Sequence, residues 1–194
     1  MKKLIFFLCL FFSLHSYATY ILIPMDAEGQ KNHLKAYGIT YWVLNKQQNV
    51  KWLLNYRGGA FLMPFIDSIE KECLIRGVSY EIISSEKAEA ILIDIESPSK
   101  NMAAVVLEKA PKIAVYSPEG NPPWDDAVTM VLTYAEIPYK TIYDTEVLND
   151  ALLLYDWLHL HHEDFTGQYG KFYRAYRNAA WYIEQQKTAE SLAL

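Results

Sequence analysis

Between Val50 and Ser84 the chain changes character three times, and that succession constrains its fold more than any other feature. VKWLLNY (50–56) is apolar and rich in strand formers. RGG (57–59) interrupts it. AFLMPFIDSIEKECLIR (60–76) carries Leu62, Phe65, Ile66, Ile69, Cys73 and Leu74 at helical spacing, with Pro64 in what would be its first turn. Gly77 stops that helix, and VSYEIIS (78–84) reads as the next strand. Strand, loop, helix and strand predict a unit joined by a right-handed parallel crossover.

The flanking segments repeat the alternation. TYILIPMD (19–26) is a short buried strand running into a loop. Residues 30–37 read as a polar helix stopped by Gly38, and ITYWVL (39–44) fits strand or helix. SEKAEAILIDIES (85–97) is a helix with a serine cap, ended by Pro98. A second series begins near Val105, with the strand KIAVY leaving into a loop that holds Pro118, Gly120, Pro122 and Pro123. WDDAVTMVLTYAEI (124–137) is an amphipathic helix with Asp125 and Asp126 at its positive end. YKTIYD (139–144) is a strand, ALLLYDWLHLHH (151–162) contains the last one, and a long helix follows from Tyr169, interrupted near Asn178. The pattern predicts an α/β fold of three layers around a mostly parallel sheet. Ligands of such sheets bind beyond the carboxyl ends of the strands.

The first 18 residues stand apart. Lys2 and Lys3 precede an apolar run from Leu4 to Leu14, and Ser16 and Ala18 place small residues at −3 and −1 of a cleavage site. The segment reads as an export signal cleaved after Ala18, which predicts a periplasmic or secreted protein not held in a membrane. Cys9 follows Leu8 rather than the small residue of a lipoprotein signal. Removing residues 1–18 takes away two lysines and no acid, so the net charge goes from −5 to −7. That balance opposes binding to nucleic acid or to an anionic membrane surface. Cys73 is then the one remaining cysteine, which excludes an internal disulfide and reads as a buried apolar residue.

Two stretches carry chemistry. Arg57-Gly58-Gly59, read as the loop between a strand and a helix, would offer close backbone approach, free helix N–H groups and a fixed cation, which is an anion-site geometry; the alternative is a tight turn with a structural arginine. WLHLHHEDFTGQYG (157–170) sets His159 and His161 on one face of an extended strand, a pair able to chelate Zn²⁺ with a carboxylate as third ligand. Its plainer reading is a strand end turning polar where it leaves the core. His162 and Glu163, nearest that end, are the candidates for touching a small polar ligand. Serine elbow, CxxC and HExxH patterns are absent.

IPMDAEGQKNHLKAYGITYWVL, KWLLNYRGGAF, EKAPKIAVYSPEGNPPWDDAVTMVLTYAEIPY and YDWLHLHHEDFTGQYGKFYRAYRNAAWY together resemble a family of exported Bacteroidetes proteins commonly labelled asparagine synthetase B. The resemblance implies that KIAVYSP, YKTIYD and LLLYDWLHLHHEDF are the first three strands of a class I glutamine amidotransferase-like, flavodoxin-like fold. The implied organisation is a signal at 1–18, an N-terminal α/β region at 19–104 and a partial amidotransferase-like region at 105–194. Position 2 is lysine rather than the catalytic cysteine of a glutamine-hydrolysing asparagine synthetase, and its SGGxDS-type ATP loop has no counterpart. The chain reaches Leu194 before the Gly-rich strand and cysteine elbow that the resemblance places further on, so it reads as an incomplete fold with no catalytic residue. The expectation is an exported ligand-binding or accessory protein without a cofactor; the alternative is an amidotransferase-like hydrolase whose nucleophile lies downstream.

Overall fold

A computed structural model of the chain describes residues 19–117, 127–160 and 174–192. They form a mixed α/β structure with two sheets. The larger has five strands in the order β4-β1-β3-β2-β5: β1 (Thr19–Ile23), β2 (Val50–Leu54), β3 (Ala60–Pro64), β4 (Glu81–Ser84) and β5 (Ala103–Leu107). Every pairing in it is antiparallel. The smaller has the order β7-β6-β8 and is parallel, from β6 (Ile113–Tyr116), β7 (Tyr139–Ile142) and β8 (Trp157–Leu160).

The expectation of a mostly parallel sheet is therefore corrected, and the reason lies in AFLMP. Residues 60–64 are not the start of a helix but β3, which returns along β2 as a hairpin, Trp52 opposite Phe61. The helix that follows, α2 (Asp67–Arg76), starts seven residues later than the apolar spacing suggests. Phe61 and Met63 pack towards one face of the sheet, Ala60 and Leu62 towards the other. A strand buried on both faces is continuously apolar, and short apolar runs of that kind mimic a helix face. Pro64, which lacks an N–H, occupies the exposed last position of the strand. Gly77 does end α2, in the left-handed conformation at φ 66°, its N–H turned back to the Cys73 and Leu74 carbonyls. The chain then enters β4 antiparallel to β1, with no parallel crossover.

Helices cover both faces of this sheet. On one side α1 (His33–Asn45) and α2 close a core of Ile21, Ile23, Ile39, Val43, Phe61 and Ile69. On the other α3 (Ser85–Ile95), capped by the Ser84 hydroxyl, brings Ala88, Ile91 and Ile95 onto Leu22, Leu53 and Leu62. Consecutive strand residues thus go to opposite cores, as the pleat requires.

Gly38 does not stop a helix, as the sequence suggested; α1 runs through it. A Cβ there would lie 1.8 Å from the Ala135 carbonyl oxygen. Glycine is needed because α4 (Ala127–Ala135) ends against the backbone of α1. Tyr41 strengthens the same junction, its hydroxyl donating to the Pro111 carbonyl at 2.8 Å and its ring packing on Ile113, Val115 and Leu132. The change of sheet falls within residues 108–112. After β7 come α5 (Asp144–Leu148), a 3-10 turn (Ala151–Leu154) and β8. The final helix, α6 (Ala180–Leu192), follows a turn at 177–179, where the sequence suggested an interruption.

Candidate functional site

The three parallel strands share a carboxyl edge. Strand β6 is central; the chain passes through α4 to β7 on one side, then through α5 to β8 on the other. The first connection leaves β6 for β7, and the second starts from β7 and crosses to the far side of β6, so the direction of travel across the sheet reverses. Ligands of open parallel sheets bind beyond the carboxyl ends of the strands near such reversals.

Tyr116, the last residue of β6, stands at this edge. Its hydroxyl donates to Asp144, the first residue of α5, which is only 7 % exposed. The Tyr143 ring lies 5.4 Å from that of Tyr116. Ser117 N donates to the Ile142 carbonyl at 2.9 Å, extending the pairing of β6 with β7 by one bond. Glu146 folds back to accept the Tyr143 N–H at 2.9 Å, and that bond holds its carboxyl below the ordinary value. The edge thus joins a buried carboxylate to an aromatic pair with phenolic oxygens, groups suited to hydrogen-bonding a polar molecule while stacking on its apolar faces. Sequence inspection placed KIAVY and YKTIYD as strands but singled out neither Tyr116 nor Asp144. The available signal was a tyrosine and an aspartate each at the end of an apolar run.

At the opposite end of the sheet Asp156 fastens the strands. It accepts from Lys109 at 2.7 Å and from the Lys112 N–H at 2.8 Å, and Lys109 chiefly keeps its carboxyl below the usual range.

His159 lies in β8 opposite Val115, half-buried. Val115 packs with Leu132 of α4, so His159 shares the α4 side of the sheet, and Tyr116, one residue on, faces the other way. His161, His162 and Glu163 lie outside the described residues. Among the described residues no group of three or more His, Cys, Asp or Glu could hold a metal ion.

Arg57, Gly58 and Gly59 sit together in the β2–β3 hairpin turn, with φ of 45°, 75° and 93°. A strand follows them, so the free N–H groups of a helix start are not at this place. Arg57 Nε donates to Asp26 Oδ2 at 2.8 Å and Nη1 donates to Glu81. Two carboxylates raise the arginine above its already high value and occupy its fork. A Cβ on Gly58 would meet the Met25 carbonyl oxygen at 2.4 Å, which is where the turn presses on the loop after β1. Beside it Gln30, 2 % exposed, donates to the Pro24 and Ser79 carbonyls and accepts from the Lys31, Asn32 and Ser79 N–H groups. The cluster ties three loops of the antiparallel sheet together. Cys73 is fully buried in the core, and burial pushes its thiol up to about 12.

Comparison with family models, curated proteins and solved structures gave no match for this chain.

Proposed function

We propose that the chain is an exported ligand-binding or accessory protein that takes a small polar molecule at the carboxyl edge of its parallel sheet. One observation carries the reading: β6 lies between the two strands that follow it in the chain, with Tyr116 and the buried Asp144 paired at the carboxyl edge of this sheet. The β7-β6-β8 order also supports a flavodoxin-like, amidotransferase-like reading of the second region, whose first three strands would be arranged in this way. His162 and Glu163 belong to the same proposal, since they follow β8 in the chain. Export is inferred from residues 1–18, which have the charge, apolar run and small residues of a signal.

Backbone amide shifts of the whole chain, recorded during titration with monosaccharides and with polar amino acids, test the site. Binding should move Tyr116, Ser117 and residues 142–146 together, and Asp144→Asn should weaken it. Shifts confined to other surfaces, or an Asp144→Asn titration unchanged from the parent, would remove the proposal. Glutamine belongs in the titration for a second purpose: ammonia release by this chain would replace a binding role with the amidotransferase-like hydrolase reading.

A further inference from the structure

A groove of about 380 Å³ lies between the last turns of α1 and the first turn of α2, on the antiparallel layer and independent of the carboxyl-edge proposal. Its floor includes the buried side chains Val43 and Ile69; Trp42, Lys46, Gln48 and Ser68 stand around it. The rim has an unusual balance of commitments. The Lys46 ammonium lies 5.5 Å from the centre of the Trp42 ring, and no carboxylate of the described residues lies within 4.0 Å of it. The Gln48 and Ser68 side chains make no hydrogen bond with described residues, although the polar groups about the Arg57 hairpin are closely paired. An apolar floor with one unpaired cation and two free polar groups is complementary to a molecule with an apolar body and one anionic end. The first turn of α2 already carries its own carboxylate, Asp67, so the cation available to an anion is Lys46 rather than the helix end.

We propose that this groove binds a small amphipathic monocarboxylate. The carboxylate pairs with Lys46, Ser68 and Gln48 hydrogen-bond its remaining oxygen lone pairs, and its apolar body covers Val43 and Ile69 beside the Trp42 indole. Size and charge both set the class. At about 30 Å³ for each water-sized group, the volume holds roughly a dozen of them, which limits the ligand to a small molecule. A second carboxylate would be left against apolar wall without a partner, which is costly. Lys46 and Ser68 are exposed, so the single ion pair contributes a preference of a few fold rather than the bulk of the affinity.

Hydrocinnamate, with its neutral amide as control, is a fitting probe for titration calorimetry and indole N–H resonances on the whole chain. The acid should bind at least about fivefold more tightly than the amide. Lys46→Gln, at an exposed position, should abolish that difference and lower the denaturation midpoint only slightly, through loss of the contact with the Trp42 ring. The Trp42 indole N–H should shift on saturation. Equal affinity for acid and amide, an unaltered preference in Lys46→Gln, or no binding of hydrocinnamate at millimolar concentration would each overturn the proposal.

Discussion

Arg57 Nε lies 2.8 Å from Asp26 Oδ2, and the same guanidinium donates from Nη1 to Glu81, so one side chain in the β2–β3 turn ties the loop after β1 to the edge strand β4. Arg57 first, then the Gly29 N–H, hold the Asp26 carboxyl below its ordinary value. A carboxyl depressed in the folded state binds fewer protons there than in the unfolded chain. Its contribution is complete above the unfolded value, about 3.9. It is lost as pH falls through the lower folded value. Urea midpoints measured from pH 2 to pH 6 should therefore fall on acidification, and Asp26→Asn should flatten that fall. An acid slope identical in the two proteins would show that Asp26 is not one of its sources.

Gly38→Ala sets two effects against each other. Alanine in a helix interior is favoured over glycine by about 1 kcal/mol. Here the new Cβ would lie 1.8 Å from the Ala135 carbonyl oxygen and 2.9 Å from its carbon, both backbone atoms that cannot rotate away. Overpacking of this kind typically costs about 1–3 kcal/mol, and a backbone obstacle puts it at the upper end. The variant should be destabilised by about 2 kcal/mol in urea denaturation, with the loss concentrated where α1 meets α4. Gly77→Ala is the control: nothing lies within 4 Å of its Cβ, so it carries only the left-handed backbone cost of about 1 kcal/mol. A Gly38→Ala protein as stable as the parent would mean that the helices stand further apart.

Much of the second region was legible because its signals were local and redundant. KIAVY and YKTIYD were short apolar runs flanked by loop residues, and the helix between them had one clear apolar face, so β6, α4 and β7 fell where they were expected. The first region misled because its sheet is covered on both faces. Full burial erased the alternation that identifies a strand in AFLMP, and a chance helical spacing across the 64–66 junction made strand and helix look like one element. The strand at 103–107 escaped notice for the opposite reason: it lies at an edge, and Val105 and Val106 are exposed. Of the candidate site, the sequence pointed to the carboxyl edge and to His162 and Glu163, which lie outside the described residues, but did not single out Tyr116 or Asp144. Tyr116 and Asp144 lie 28 positions apart and meet only through the parallel pairing of their strands.

Leu62 and Leu74 separate the two readings of residues 60–76. On a single helix both would share the buried face. In the structure Leu62 is 1 % exposed in the central strand β3, whereas Leu74 is 65 % exposed on α2. Leu62→Ala should cost about 2–5 kcal/mol, the usual range for a leucine removed from a close-packed core. Leu74→Ala should stay within about 0.5 kcal/mol of the parent. Equal losses in chemical denaturation would restore the longer helix.

Cys73 should be inert in the folded protein. The reactive species is the thiolate, and burial raises the thiol to about 12, with the Glu70 and Glu72 charges adding to the rise. At pH 8 roughly one molecule in ten thousand would be ionised, against about a quarter for an ordinary thiol near 8.5. Access imposes a further barrier, because the sulfur is enclosed by the core that α1 and α2 close over the sheet. Iodoacetamide labelling, followed by mass spectrometry of the peptide that carries Cys73, should be at least about a thousandfold slower in native buffer than in concentrated urea. Between those limits the rate should track the opening of α2 from the sheet, so a variant that destabilises this core, such as Ile69→Ala, should label faster in proportion to its lost stability. Labelling of the native chain at the rate of a free thiol would place Cys73 on an accessible surface and undo the packing described for α2.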